Sequence, residues 1–175
     1  LLYDLVKASV IRLAYAMAWD LAETKVAAVA LSPGFLRSEH VLEVKGVSEA
    51  NWRDAVAADP SFEQSETPFF VGRAVAALAA DPDVRRKSGL ALFVSDLADE
   101  YGFTDVDGRV PRFWPAIEAW LDRELAKDQP LSGQARWIAS ARYAQTHRSP
   151  ERRVRAERLA AGLGFADLPA GLAPS

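Results

Sequence analysis

Apolar positions in residues 3–24 recur at three- and four-residue spacing: Leu5, Val6, Ile11, Leu13, Ala14, Met17, Ala18 and Leu21. The spacing and the alanine content predict a helix. Its apolar residues lie on more than one side, which predicts cover by its own sheet on one face and by another surface on the second. Lys7, Arg12, Asp20, Glu23 and Lys25 interrupt the stretch, so it does not read as a membrane span. Residues 26–31 are then apolar at every position, the pattern of a parallel strand buried on both faces. Ser32-Pro33-Gly34 should end that strand, because proline fixes φ and lacks an amide donor while glycine allows close approach. Residues 35–48 read as a loop with a short helical piece. Residues 49–58 read as a short helix with Ser48 at its N-cap and Trp52 and Val56 on one side.

Thr67-Pro68 marks a second helix start, followed by Phe70, Val71, Ala74, Val75 and Leu78 at helical spacing up to Asp81-Pro82. A polar turn over 83–88 leads into a second apolar strand over 90–94, and a short helix over 96–101 comes next. Helix, strand, helix, strand is the repeat of a parallel α/β sheet. Residues 102–112 are turn-rich and are expected to separate this body from a tail. Ile117, Trp120, Leu121 and Leu125 predict an amphipathic helix after Pro115, with further helices over 133–146 and 149–164. The fold class expected is therefore α/β, with a parallel-sheet body over residues 1–108 and a mostly helical extension over 109–175.

Composition narrows the chemistry. At 50% apolar residues the 175-residue chain can bury a core, and the absence of cysteine excludes disulfides and thiolate catalysis. With only His40 and His147, a histidine-rich zinc site is not expected. Asp105 and Asp107 read as turn chemistry around Gly108, and no metal is expected. Residues 1–108 hold ten Lys and Arg against seventeen Asp and Glu, whereas residues 109–175 hold eleven against seven. The basic excess, centred on Arg142, Arg148, Arg152, Arg153, Arg155 and Arg158, reads as a solvated or docked helix face, and nucleic acid is not an expected partner. No signal peptide and no stretch long enough to cross a bilayer are evident, so a cytoplasmic protein without membrane contact is expected.

Tyr3 and Lys7 stand four residues apart on the first helix, which brings the phenol and the ammonium to one face. A neighbouring ammonium favours a phenolate, poising the oxygen to exchange a proton. Alone, the spacing is weak and is more often that of a helical surface pair. Its context is more specific: Tyr3-Asp-Leu-Val-Lys7-Ala-Ser, the strand over 26–31, Ser32-Pro33-Gly34-Phe-Leu-Arg-Ser38-Glu39, then Thr67-Pro-Phe-Phe-Val-Gly-Arg-Ala-Val and Tyr101-Gly-Phe-Thr-Asp-Val-Asp-Gly108. In that order these stretches resemble the C-terminal portion of the short-chain dehydrogenase/reductase family, over roughly residues 1–108.

The resemblance implies the C-terminal part of a Rossmann-like domain and an NAD(P)-dependent interconversion of a small-molecule carbonyl and an alcohol. Tyr3 would be the acid/base, and Lys7 would assist it and hydrogen-bond the nicotinamide ribose. Pro33 and Gly34 would form the turn beneath the nicotinamide, the Leu36 backbone would contact the carboxamide, and Ser38 would stand where the family commonly has a cofactor-contacting threonine. Arg37, Glu39 and His40 match no catalytic position and are expected as exposed loop side chains. Phe35, Phe69, Phe70 and Trp52 suit a substrate cavity or a packed core equally. The family's glycine-rich phosphate loop, ribose selector, structural asparagine and substrate-orienting serine would all precede Leu1. The 175 residues are accordingly expected to be either part of a longer enzyme or a natural short product. By themselves they should be inactive and bind neither NAD nor NADP tightly. The runner-up is a non-catalytic interaction protein with a truncated oxidoreductase fold. A homo-oligomer paired through the first helix is expected in either case.

Overall fold

The computed structural model describes residues 2–127. The chain divides into two compact units, Leu1–Ile117 and Glu118–Ser175. In the first, α1 (Leu2–Asp20) leads to β1 (Ala30–Ser32), β2 (Phe35–Leu36) and α2 (Glu39–Lys45). Two 3-10 turns, Trp52–Ala57 and Pro60–Gln64, precede β3 (Ser65–Glu66) and α3 (Pro68–Ala80). A further 3-10 turn, Val84–Lys87, then leads to β4 (Ala91–Phe93) and α4 (Val94–Tyr101). The last described helix, α5 (Phe113–Leu125), begins in the first unit and continues into the second. The helices expected over 133–146 and 149–164, with their arginines and His147, lie outside the described residues.

The two strands expected from the apolar runs pair in parallel, Ala30 with Ala91 and Ser32 with Phe93. Backbone bonds from Gly89 to the Ala28 carbonyl (2.7 Å) and from Ala30 to the Leu90 carbonyl (2.9 Å) extend the contact towards the strand starts. The regular strand is nevertheless shorter than residues 26–31. Val26 is more than half exposed and its amide bonds the Thr24 hydroxyl, so burial begins only at Ala28. Val94, expected to end the second strand, instead opens α4, and there it is buried.

α3 starts at Pro68 as expected, and Phe70, Ala74 and Leu78 form its buried stripe. They pack with Val94, Leu97 and Ala98 of α4, bordered by Val29, Leu31, Leu92 and Phe103. Gly102 ends α4 in the left-handed region (φ 73°), its amide reaching the Ala98 carbonyl, a conformation that costs a side-chain-bearing residue more. A second core gathers Trp52, Ala55 and Phe62 with Phe35, Val41 and Leu42.

Three expectations need correction. The short helix expected over 49–58 is a 3-10 helix confined to Trp52–Ala57, and Ser48 does not cap it; its amide and hydroxyl both donate to the Asn51 side chain. The 35–48 loop contains β2, which pairs in parallel with the unanticipated β3, Leu36 opposite Glu66. The 102–112 segment does not merely separate a body from a tail: Arg109 donates to the Glu63 carbonyl, and Arg112 pairs with Asp99. The parallel pairings, flanked by helices, are those of a partial Rossmann-like α/β fold.

Candidate functional site

Tyr3 and Lys7 lie on the first turns of α1, as their spacing requires, with Lys7 Nζ 5.3 Å from the Tyr3 ring centroid. Both side chains are exposed. α1 itself is lightly anchored. Ala14 is buried and Ile11, Tyr15, Ala16 and Ala18 are half-buried, while Leu5, Val6, Val10, Leu13 and Trp19 face solvent. The helix packs on β1, whose carboxyl end runs directly into Pro33 and Gly34.

The Pro33–Gly34 turn is tightly enclosed. Trp114 Nε1 donates to the Pro33 carbonyl at 3.1 Å. A side-chain carbon at Gly34 would lie 2.7 Å from Phe113 Cβ and 2.9 Å from Glu66 Oε2, too close for either to remain in place. Glycine is required here by space.

β2 comes immediately after the turn. Arg37 donates its amide to the Glu66 carbonyl (2.8 Å), and in a parallel ladder this alternation turns Leu36's own amide and carbonyl to the opposite edge of β2. Ser38 caps α2, its hydroxyl oxygen accepting from the Val41 amide at 3.3 Å. That bond uses a lone pair and leaves the hydroxyl proton as a donor.

Arg37, expected on the surface, is buried. Its guanidinium pairs with Glu49 (2.8 Å), donates to the Ser65 carbonyl (2.8 Å) and lies 4.2 Å from the Trp52 ring centroid. A buried guanidinium persists because its donors are matched to acceptors. Glu39 and His40 are exposed, as expected.

Asp105 is likewise buried and does more than shape a turn. It accepts the Thr67 amide (2.8 Å), the Thr67 hydroxyl and the Val106 amide (2.7 Å). Thr67 therefore spends its hydroxyl across the fold and makes no side-chain cap on α3. Asp107 has the turn role expected, bonding the Arg109 amide and guanidinium. Among the described residues, no cluster of three or more His, Asp or Glu side chains is arranged to hold a metal.

Glu66, which sequence reasoning did not single out, is the most perturbed carboxyl near the turn. Burial pushes it up to about 7, opposed by the Gly34 amide acting as a donor, reinforced by the negative Asp105 and offset in part by Arg37. Its Oε1 is buried without a hydrogen-bond partner. Of the aromatic residues left between cavity and core, Phe35, Phe70 and Trp52 pack edge-on against Phe62, Phe103 and Phe62 respectively, whereas Phe69 is exposed.

The described geometry is a parallel α/β frame with a Tyr–Lys pair on its first helix and a tight Pro-Gly turn after the next strand. Dehydrogenase/reductase SDR family member 1 from Mus musculus is 38% identical over 109 residues, covering 61% of this chain and 34% of that protein. The Homo sapiens protein of the same name is 37% identical over 140 residues, covering 79% of this chain and 42% of its own length. No protein-family model matches the chain. A partial short-chain dehydrogenase/reductase segment fits these likenesses, and the chain spans about a third to two fifths of the length of the curated relatives it matches. The longer match exceeds residues 1–108, so the likeness extends past Gly108.

Proposed function

We propose that this chain supplies the proton-transferring pair and the nicotinamide-side turn of an NAD(P)-dependent enzyme that interconverts a carbonyl and an alcohol. The observation that carries the reading is the Tyr3–Lys7 pair on the helix packed against β1, the strand that runs into the enclosed Pro33–Gly34 turn. Tyr3 would protonate the carbonyl oxygen in reduction and accept the alcohol proton in reverse, and a bound nicotinamide would supply the hydride chemistry. Lys7 supports Tyr3 and the nicotinamide ribose. Pro33 and Gly34 would form the floor, the outward-turned backbone of Leu36 would face the carboxamide, and Ser38 would offer its hydroxyl proton to the cofactor.

Dinucleotide affinity depends on its phosphates as well as its nicotinamide, and none of the ten glycines in this sequence forms a glycine-rich phosphate loop. The 175 residues alone therefore bind NAD or NADP without micromolar saturation and turn over no substrate. The chemistry belongs to a polypeptide that joins them to such a loop. Transfer of deuterium from a nicotinamide-labelled dinucleotide to the carbonyl carbon of a ketone or aldehyde tests this. No transfer across a panel of both, with either dinucleotide, counts against the reading.

A second reading rests on the exposed apolar side of α1, where Leu5, Val6, Val10 and Leu13 face solvent. It makes the chain an interaction module, and in both readings α1 pairs with a second copy. No described helix is long and apolar enough to cross a membrane, and the proposed setting is the cytoplasm.

A further inference from the structure

The polar groups beneath the Pro33–Gly34 turn have a use that the proton-transferring pair does not account for. Glu66 sits on β3 opposite Leu36, with its backbone carbonyl bound to the Arg37 amide and its carboxylate against Gly34. One residue thus grips the cofactor-side segment twice, through its main chain at Arg37 and through its side chain at the turn. Phe113 closes the other side of Gly34, and Trp114 holds the Pro33 carbonyl. A side-chain carbon at Gly34 would meet both Phe113 and Glu66, so the turn is packed directly against Glu66.

We propose that Glu66 is a positioning residue that sets the height of the Pro33–Gly34 turn through the Gly34 amide, and that gaining or losing its proton adjusts that height. The proposal rests on the functional reading above for what the turn faces, a nicotinamide. As a carboxylate, Glu66 attracts the Gly34 amide. Protonated, it is a weaker acceptor and can turn its hydroxyl towards a neighbouring oxygen, so the pull on the turn slackens. The charged groups that act on it are Arg37, just beyond β2, and Asp105, in the loop after α4. Phe113 of α5 contributes no charge. Arg37, engaged by Glu49 and Ser65, offsets the carboxyl only in part, while Asp105, held by Thr67 and Val106, adds a second negative charge, and Oε1 has no hydrogen-bond partner. The switching range, near pH 7, arises from burial of the carboxyl beside this fixed pair.

Two arms test the idea. In the 175-residue chain, the Gly34 amide resonance tracked by nitrogen–proton NMR is expected to titrate with a midpoint near pH 7, and to be flat over that range in E66Q. A flat wild-type response, which requires no variant to fold, overturns the proposal, as does the same titration in E66Q. In the polypeptide that joins this chain to a phosphate loop, the KM for the dinucleotide should change several-fold across the same range in wild type and lose that dependence in E66Q. Superimposable KM profiles, with Gly34 titrating normally, overturn the positioning role. Absence of any hydride transfer is instead a failure of the functional reading, and the Gly34 arm still decides the contact.

Discussion

Helix α1 and the segment from Pro33 to Ser38 both contribute to the proposed site, yet they are held in different ways. α1 rests on β1 through a narrow stripe centred on Ala14, with much of its apolar surface in solvent. The 33–38 segment is fixed by the Trp114 bond to Pro33, by the lack of space at Gly34, by the pairing of β2 with β3 and by the Ser38 cap. The proposed floor of the site is held by contacts within this chain, whereas the helix bearing the proposed acid/base exposes an apolar side. Ladder and polar contacts resist displacement in specific directions, while a lightly buried helix depends on whatever packs against it.

The contrast is most easily broken from the polar side. Asp105→Ala leaves the Thr67 amide, the Thr67 hydroxyl and the Val106 amide without their acceptor. It should cost about 3–5 kcal/mol, read as a fall in the denaturant midpoint. Gly34→Val drives carbon atoms into Phe113 and Glu66 and should cost about 2–3 kcal/mol by the same measurement. A normal midpoint for Gly34→Val would mean that the 33–38 segment is not clamped, and one for Asp105→Ala that the bonds to Thr67 and Val106 add no stability.

Glu66→Gln should sharpen the comparison through pH. The folded chain holds the Glu66 proton up to about 7, well above the carboxyl's ordinary 4.5. Its contribution to stability is therefore full below about 4.5 and is lost as pH rises through about 7. Gln has no proton to lose, so the variant should gain roughly 2–3 kcal/mol on wild type between pH 5 and pH 8. A difference independent of pH would show that Glu66 titrates ordinarily. The smallest effect belongs to α1: Leu13→Ser, on its exposed side, should change the stability of the chain alone by about 0.5 kcal/mol or less. Sedimentation of that variant should show a weakened dimer if α1 pairs with a second copy.

The same division governs what could be read from the sequence. Tyr3 and Lys7 share a helix face by local geometry, and Thr67-Pro68 signals a helix start from its own chemistry. The apolar runs containing β1 and β4 announced strands, although only part of each has a partner along its length. β2 and β3 have two residues each, too few for any period, and their pairing joins positions distant in sequence. Arg37 consequently read as a surface charge and Glu66 was not singled out, since burial there is decided by the partner strand, not by the neighbours in the chain. Asp105 had one legible sign, its place in a turn-rich stretch, but nothing local shows that Thr67 is the group it holds. Within the site, what was legible was local and what was missed was long-range.

The central claim is that Tyr3 performs the proton transfer above a turn this chain holds in place. The most direct test is Tyr3→Phe in the polypeptide that joins the chain to a phosphate loop, with kcat and the dinucleotide Kd measured together. Removing one hydroxyl that acts in the transition state should lower kcat by about 10²–10⁴-fold and leave the dinucleotide Kd within about twofold. Turnover equal to wild type would contradict the account.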